Sequence, residues 1–258
     1  MEQLNLLNDK TKTEISIEFI QEYEPEEGYF VGFSGGKDSQ VLYKLTEMAG
    51  VKFTAYYTLM PDPPELIKFI RKHYPGVKII KADNNIYQQV ETRFPPHRRA
   101  RWCCDYIKEK PSAKILLTHR LLGIRGEESP GRAKQGWINQ RTKKRINYHP
   151  IFDWLEWEVW EFIDTYQLPY CSLYDEGFSR LGCVICPLRS TNERKKYKER
   201  FPAQHRLFEK ACRKWWDKSG KQRQRGRGYI NTFDEFLDNW YGWHQNQGAL
   251  KVVAQNKH

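Results

Sequence analysis

The segment YFVGFSGGKDS, residues 29–39, joins a short apolar run directly to a turn that contains two adjacent glycines. The apolar run is typical of a buried strand, and the residues from Lys37 onward favour a helix. A strand that leads through glycines into a helix leaves backbone N–H groups without intrahelical partners, and these groups bind anions together with the helix dipole. The segment therefore predicts a phosphate site at the end of the first strand.

Strand-like and helix-like segments alternate along the first part of the chain. Short apolar runs predict strands at 29–33, 52–58 and 77–81. Amphipathic patterns predict helices at 37–48, 64–73 and 84–90. This alternation is typical of βαβ units and predicts an α/β fold, a parallel twisted sheet with helices on both faces.

The C-terminal part of the chain has a different pattern. Asp153 and Glu156 have the spacing of a capping box, and the apolar residues after them predict a helix. Two further helical patterns, at 192–216 and 232–245, flank a Gly/Arg-rich loop. They predict a mainly helical C-terminal extension.

A second polar loop, LGIRGEESPGR at residues 122–132, also follows an apolar run. Arg125 offers a planar guanidinium that binds a phosphate or sulfate-like group through two hydrogen bonds, which a lysine cannot do. Glu127 and Glu128 would either orient Arg125 or coordinate Mg²⁺ on a pyrophosphate. An ordinary salt-bridged surface loop is the alternative interpretation.

The string SGGKDS differs from a Walker-type P-loop, because its glycine spacing is different and Lys37 is followed by Asp38. It matches the pyrophosphate loop (PP-loop) of the ATP pyrophosphatases, which cleave ATP between the α and β phosphates and transfer AMP. The later segments HPIFDWLEWEVWEFI and LPYCSLYDEGFSRLGCVICP follow in the order of the phosphoadenylyl-sulfate (PAPS) and adenylyl-sulfate (APS) reductase family. From about Tyr29 to Pro187 the chain resembles that family, which implies an adenine nucleotide alpha hydrolase-like fold.

The resemblance also implies an ATP site with Mg²⁺. Lys37 and Arg125 would be the catalytic residues, because they would stabilise the charge that builds on the phosphates. The segment YTLMPDPPEL, residues 57–66, occupies the position of the family's adenine and ribose contacts. The expected ATP-binding residues are Ser34, Gly35, Gly36, Lys37, Asp38, Ser39, Thr58, Leu59, Met60, Gly123, Arg125 and Arg132.

Four of the six cysteines form two close pairs, the adjacent Cys103 and Cys104 and the CxxC pair Cys183 and Cys186. Adjacent cysteines converge poorly on one tetrahedral ion, whereas each thiolate can bind a different iron of a [4Fe–4S] cluster. The pattern favours a [4Fe–4S] cluster over a zinc site or unmetallated thiols. It is similar to the cluster site of the APS reductases and of the DNA-phosphorothioation ATP pyrophosphatases. The other two cysteines are expected to be packing residues: Cys171 and Cys212.

The net charge of +11 lies in one region of the chain, because residues 189–227 hold fifteen Lys and Arg against four Asp and Glu. We expect two domains, a PP-loop and iron–sulfur domain of residues 1–187 and a basic, aromatic-rich helical extension of residues 188–258. The basic block can follow a nucleic-acid backbone while its rings stack on bases. A solvated helix face with a flexible loop is the alternative. The rings concerned are Phe201, Phe208, Trp215, Trp216 and Tyr229.

One feature of the reductases is missing. They carry a nucleophilic cysteine in a Glu-Cys-Gly-Leu-His segment near the C-terminus, whereas this sequence has no cysteine after Cys212. Without that thiol the thiosulfonate intermediate cannot form, so the resemblance points to the ATP pyrophosphatases of DNA phosphorothioate modification. This resemblance implies that the protein cleaves ATP and adenylylates a nucleic acid, which we expect to be DNA. It also implies that a cysteine desulfurase delivers the sulfur.

Three alternative functions stay open: an APS or PAPS reductase that takes its thiol from elsewhere, a tRNA thiolation enzyme, and a non-enzymatic basic nucleic-acid-binding protein regulated by the nucleotide. The sequence has no apolar stretch of about 20 residues, and its start lacks the pattern of a signal peptide. We therefore expect a cytoplasmic protein without a membrane partner.

Overall fold

A computed structural model describes residues 4–5, 10–142, 145–220 and 232–242. The chain divides into two compact units. Unit 1 comprises Met1–Leu59, Pro64–Lys81 and Pro111–Leu181, and unit 2 comprises Met60–Pro63, Ala82–Lys110 and Gly182–His258. The expected domain boundary after residue 187 stays a prediction. The two units differ from it by grouping both cysteine pairs with the C-terminal segment.

The strands lie in unit 1 and form two sheets. They are β1 (Leu4–Asn5), β2 (Lys10–Thr11), β3 (Tyr29–Gly32), β4 (Phe53–Thr58), β5 (Lys78–Ile80), β6 (His119–Leu122), β7 (Ile138–Thr142) and β8 (Arg145–Tyr148). The first two form an antiparallel pair, and the other six form one sheet in the order β5-β4-β3-β6-β8-β7. All pairings in this larger sheet are parallel except that of β7 with β8. The predicted α/β class is confirmed, with an antiparallel edge strand that the sequence pattern did not reveal.

Burial along the strands follows their place in the larger sheet. Tyr29, Phe30 and Val31 are all buried in the central strand β3, as expected for a strand that is covered on both faces. The edge strand β7, with the sequence INQRT, is mostly exposed. Polar residues on an exposed edge discourage pairing with another chain.

The helices alternate with the strands in unit 1 and dominate unit 2. They are α1 (Lys12–Glu22), α2 (Lys37–Met48), α3 (Pro64–His73), α4 (Ile86–Thr92), α5 (Lys110–Ala113), α6 (Pro130–Ala133), α7 (Glu156–Thr165), α8 (Thr191–Arg200), α9 (Pro202–Trp215) and α10 (Phe233–Tyr241). Single turns of 3₁₀-helix lie at Gly126–Glu128 and Ser172–Tyr174, and π-helical segments lie at Cys104–Glu109 and Trp216–Gly220. The bounds predicted for α2 and α3 are confirmed to the residue.

The capping box predicted for Asp153 and Glu156 is wrong. The N-cap of α7 is Leu155, whose N–H donates to Oε2 of Glu158 at 2.6 Å. Asp153 instead lies 3.9 Å from the ammonium of Lys12. A glutamate does accept a hydrogen bond from the N-cap N–H at the start of this helix, as the capping-box spacing predicts. That glutamate lies two residues later than predicted.

The single helix predicted at residues 192–216 is observed as two helices of unit 2, α8 and α9. Phe201 has a non-helical ψ of 57°, and Pro202 takes the first position of α9, where its missing N–H has no cost. The predicted helix 232–245 is described only as α10, which ends at Gly242 with a left-handed φ of 80°. Residues 243–245 lie outside the described part of the chain. No helix among the described residues is long and apolar enough to span a membrane.

Candidate active site

The PP-loop, Ser34–Ser39, connects the carboxyl end of β3 to α2. From β3 the chain continues to β4 and β5 on one side and then returns to place β6 on the other side. Ligands of open α/β sheets bind at such a switch point, outside the carboxyl ends of the strands. The residue after β6, Gly123, lies so close to the loop that an added Cβ would be 2.9 Å from the carbonyl oxygen of Asp38. The fold therefore brings the two loops predicted from the sequence together.

The conformation of the PP-loop depends on glycine. Gly35 has a φ of +74°, and a Cβ there would lie 2.8 Å from side-chain atoms of Leu66 and Ile70. The hydroxyl of Ser39 donates to the carbonyl of Gly36 at 2.8 Å and accepts from the N–H of Ser34 at 3.1 Å. These serine contacts stabilise the turn from within, so their expected role in phosphate binding stays a prediction.

Lys37 lies at the first position of α2 and is only 4% exposed. Its ammonium is 3.2 Å from Oε1 of Glu156 and 3.6 Å from Oδ2 of Asp38. Its backbone N–H donates to the hydroxyl of Tyr174 at 2.9 Å. The ammonium of Lys37 and its backbone N–H, one of the first N–H groups of α2, therefore both lie at the N-terminus of this helix.

Arg125 is buried, at 3% exposure, and carboxylates bind its guanidinium. Nε donates to Oδ1 of Asp38 at 2.6 Å, and Nη1 donates to Glu127 and, at 3.4 Å, to the carbonyl of Trp154. Burial alone lowers the pKa of Arg125, but the charges and hydrogen bonds of Asp38 and Glu127 outweigh burial, and its pKa is raised. Arg125 stays charged and is held in a fixed orientation.

A second arginine pair lies on the same loop. Arg132 donates to Glu128 one helical turn before it, and burial lowers the pKa of Arg132. Of the two roles expected for Glu127 and Glu128, the observed contacts correspond to orienting arginines. Coordination of Mg²⁺ by these glutamates stays a prediction.

The segment expected to contact adenine and ribose is divided between the two units. Thr58 is the last residue of β4, the strand next to β3, and the N–H of Leu59 donates to the carbonyl of Ile80 at 2.9 Å. Met60 belongs to unit 2. The roles of these three residues in ATP binding stay predictions.

The four paired cysteines all belong to unit 2. Cys103 and Cys104 lie at the beginning of a helical stretch, where the helix dipole favours thiolates. The hydrogen bond between the two thiols raises the pKa of Cys103 and lowers that of Cys104. The charges of Cys183 and Cys186 further raise the pKa of Cys103, so the two pairs are close enough to interact electrostatically. Among the described residues, no group of three or more His, Cys, Asp or Glu is arranged to hold a metal ion.

Arg189 organises the loop that carries the CxxC pair. Its Nη2 donates to the carbonyls of Gly182 and Cys183 at 3.2 and 3.3 Å, and its guanidinium lies 3.4 Å from the ring centroid of Tyr197. The Nε–H of Arg189 is buried and has no hydrogen-bond partner in the described part of the chain. The charge of Arg189 acts to lower the pKa of the Cys183 thiol against the dominant effect of burial. A buried donor in this loop is suited to hydrogen-bond a negatively charged sulfur.

Two more arginines bind the backbone of the same loop. Arg98 donates to the carbonyl of Arg189 at 3.1 Å, and Arg194 donates to the carbonyl of Pro187 at 3.0 Å. The charge of Cys186 acts to raise the pKa of Arg194 against the dominant effect of burial, which lowers it. This loop is therefore held by cations, which suits a group of net negative charge.

A family model described as the phosphoadenosine phosphosulfate reductase domain matches residues 28–189, which include both polar loops and all four paired cysteines. The chain belongs to the phosphoadenosine phosphosulfate reductase domain family. The adenosine 5'-phosphosulfate reductase of Staphylococcus epidermidis is 30% identical over 72% of this chain and 82% of that protein. The phosphoadenylyl-sulfate reductase of Candida auris has the same fold, with a TM-score of 0.53, 14% identity, and coverage of 69% of this chain and 90% of that chain.

Two uncharacterized proteins of Methanocaldococcus jannaschii are also similar to this family member. One is 33% identical over 78% of this chain and 44% of its own length. The other is 29% identical over 87% of this chain and 54% of its own length. The chain thus spans about half the length of these two relatives.

The aromatic residues of this protein that were expected to stack on bases are mostly buried. Phe201, Phe208, Trp215 and Trp216 are each at most 5% exposed. Phe208 packs on Trp240 with ring centroids 4.5 Å apart, and the other rings belong to the same apolar interior of unit 2. The stacking prediction is therefore wrong for these four rings, because their burial in the interior of unit 2 leaves them no exposed face for a base. Tyr229 lies outside the described residues.

The candidate site contains two residues that were not predicted from the sequence. Tyr174 and Glu156 contact Lys37, although they follow it by more than a hundred residues. Both lie in segments that resemble the family, LPYCSLYDEGFSRLGCVICP and HPIFDWLEWEVWEFI, but nothing in their spacing indicates which side chain reaches the PP-loop. The remaining cysteines, Cys171 and Cys212, are 1% and 0% exposed, which confirms the packing prediction.

Proposed function

We propose that this member of the phosphoadenosine phosphosulfate reductase domain family is an ATP pyrophosphatase that activates a nucleic acid for sulfur transfer. The observation that carries the proposal is the pair of buried cations at the switch point of the sheet. Lys37 begins α2 directly after the glycine turn, and Arg125 is held against the same turn by Asp38. Two fixed cations beside helix N–H groups suit a triphosphate better than a single phosphate.

The proposed reaction has two steps. A phosphate oxygen of the nucleic acid attacks the α-phosphorus of ATP, the bond to the bridging oxygen breaks, and pyrophosphate leaves with its electron pair. Lys37 and Arg125 stabilise the charge on the leaving pyrophosphate, which is electrostatic rather than acid–base catalysis, and Mg²⁺ supplies further positive charge. A persulfide from a cysteine desulfurase then attacks the adenylylated phosphate, AMP leaves, and a thiol reduces the resulting disulfide bond.

The proposal includes a [4Fe–4S] cluster on the four paired cysteines of unit 2, which would have to draw together to bind it, since the described residues hold no group arranged for a metal ion. Cys103, Cys104, Cys183 and Cys186 would hold it, because they lie in one unit, interact electrostatically and are accompanied by the orphaned donor of Arg189. Such a cluster, when bound, supplies an electron-transfer or structural centre. The cations of the CxxC loop would stabilise its negative charge.

The choice of DNA as the acceptor comes from the resemblance to the DNA-phosphorothioation ATP pyrophosphatases and from the basic extension. Purified protein with MgATP and DNA should form AMP once a cysteine desulfurase and cysteine supply the persulfide. It should release pyrophosphate when a nucleic acid is added, and DNA should stimulate this release more than tRNA. Lys37→Ala should abolish it. Equal activity in wild type and Lys37→Ala would contradict the proposal, and stimulation by tRNA alone would favour tRNA thiolation.

Sulfonucleotide reduction is the second candidate function. It is favoured by the similarity to the adenosine 5'-phosphosulfate reductase of Staphylococcus epidermidis, of which the matched region covers 82%. In that case adenylyl sulfate and a thiol donor should yield sulfite and AMP, with no requirement for ATP or nucleic acid. Rapid sulfite release, without pyrophosphate release from ATP, would replace the first proposal by this one.

A further inference from the structure

We propose that the outer face of α9 binds the phosphate backbone of a nucleic acid without reading its sequence. This inference rests on the proposed function, because it names the surface that holds the nucleic-acid acceptor. The α9 stripe consists of Arg206, Lys210, Arg213 and Lys214, which are all exposed. Their spacing of three and four residues places them on one side of the helix.

The opposite side of α9 is the buried one. His205, Phe208, Cys212 and Trp215 point into unit 2, and each is at most 5% exposed. A helix that binds a membrane surface needs an exposed apolar face, and the apolar face of α9 is already used in packing. The exposed face therefore offers mainly charge, and Leu207 is its one large exposed apolar side chain.

No described acidic residue neutralises Arg206 and Lys210, the first half of the stripe. Glu209 is the only acidic residue within α9, and it contacts Lys198 at 2.7 Å and the hydroxyl of Tyr241 at 2.8 Å. Arg206 and Lys210 form no ion pair with any residue that the structure describes. This half of the stripe is available to an external anion.

The other half of the stripe holds weak ion pairs. Arg213 is 3.6 Å from Asp234 and Lys214 is 2.9 Å from Glu91, with both basic side chains about half exposed. Exposed pairs of this kind contribute at most about 1 kcal/mol, so a phosphate can replace the carboxylate. Residues four apart on a helix are separated by about 6 Å along its axis, which gives a line of cations able to follow a phosphate chain.

The α9 stripe has no exposed aromatic ring among the residues described, which favours a partner bound through its phosphates rather than its bases. The aromatic rings of this region are buried, so the stripe has no described ring that stacks on a base. Binding through Lys and Arg to phosphates alone is independent of sequence and depends steeply on salt. The basic sequence continues from Lys218 to Arg227, which extends the charge along the chain.

The test is the double charge reversal Arg206→Glu with Lys210→Glu. Lys68→Glu with Lys72→Glu is the matched control, because these exposed lysines of α3 have the same four-residue spacing and the same change in net charge. Binding of a labelled DNA duplex is measured by fluorescence anisotropy over a series of salt concentrations. Unchanged circular dichroism and melting temperature verify that both variants fold.

We expect the α9 variant to bind DNA at least ten-fold more weakly at about 0.1 M salt, with a salt slope smaller by about 2, since two phosphate contacts are lost. The α3 control should bind like wild type. Equal loss in both variants, no loss in the α9 variant, or binding of the wild type to anionic lipid vesicles instead of DNA would overturn the proposal.

Pyrophosphate release by the wild type at saturating DNA separates this inference from the proposed function. If DNA binding depends on the α9 stripe but the wild type releases no pyrophosphate from ATP, the binding surface stands and the catalytic proposal fails. If pyrophosphate is released and both variants bind DNA like wild type, the catalytic proposal stands and the proposal that the α9 stripe binds DNA fails.

Discussion

Asp38 accepts a hydrogen bond of 2.6 Å from Nε of the buried Arg125, a residue 87 positions further along the chain. Asp38 follows the central strand β3, and Arg125 follows β6, the strand beside it. The contact joins the two loops of the candidate active site into one arrangement. A change in either residue should therefore affect both protein stability and nucleotide binding.

Asp38→Asn removes the charge that holds Arg125. A buried cation that loses its carboxylate is costly, so we expect the free energy of unfolding to fall by about 1–3 kcal/mol and the KM for ATP to rise. Urea unfolding and steady-state kinetics measure the two effects. Glu47→Gln is the control, because Glu47 lies in the same helix but forms an exposed pair with Lys44, and it should leave both quantities unchanged.

Glu156→Gln removes a carboxylate that competes with phosphate for Lys37. The carboxylate lies 3.2 Å from the ammonium, but its side chain is 51% exposed, so the pair is weak. We expect ATP to bind about two- to five-fold more tightly, as measured by titration calorimetry. Asp164→Asn, an exposed change on the same helix, should have no effect; weaker binding by Glu156→Gln would show that Glu156 assists the nucleotide instead.

Gly35→Ala tests the need for close packing under the PP-loop. The added methyl would lie 2.8 Å from Leu66 and Ile70 at a φ of +74°. Gly50→Ala is the matched control, because Gly50 has a similar φ of +69° but nothing within 4 Å of an added Cβ. Both variants should lose about 1 kcal/mol of stability from the backbone conformation, and Gly35→Ala should lose more and also fail to bind ATP. Equal stability and equal ATP binding in the two variants would contradict this account of the loop.

His205 should make unit 2 less stable in acid. Burial lowers the pKa of His205 to about 4, with Lys198 and Arg189 acting in the same direction and Glu209 against it. Because the folded pKa lies below the unfolded value, the stabilisation is complete above pH 6.5 and is lost as the pH falls toward 4. Over that range His205→Gln should remove about 3 kcal/mol of the pH dependence of unfolding. A pH profile of unfolding in His205→Gln equal to that of the wild type would contradict this role of His205.

Anaerobic purification tests the cysteine site. We expect wild-type protein to contain iron and acid-labile sulfide, and Cys183→Ser to lose both, because a serine oxygen is a poor ligand for an iron–sulfur cluster. Cys171→Ala should keep the iron, since Cys171 is buried in unit 1, whereas both cysteine pairs belong to unit 2. Wild-type protein that contains zinc, or no metal, would contradict the cluster proposal.

The sequence predicted the first βαβ units of the larger sheet well because local signals and packing agree there. Pro64 and the glycine turn before Lys37 determine where α3 and α2 begin, independently of the rest of the structure. The edge strand β7 has no apolar alternation, so only its pairing with β8 identifies it. The break at Pro202 was available from the sequence, since proline favours the first position of a helix.

Other features depend on tertiary contacts that no local pattern contains. The basic residues of α9 were expected on the surface, but the rings between them were also expected there, although their spacing places them on the inner side of the helix. The contacts of Lys37 with Tyr174 and Glu156 join segments far apart in the chain. Spacing within a motif predicts a turn, but it does not predict which distant side chain reaches that turn.

Phosphorus-31 NMR of MgATP incubated with the full chain and DNA tests the central claim most directly. We expect the β and γ signals of ATP to be replaced by the signal of pyrophosphate, with AMP accumulating when a cysteine desulfurase and cysteine are also present, and Lys37→Ala to leave ATP intact. Conversion of ATP to ADP and inorganic phosphate, or no reaction in the wild type, would contradict it.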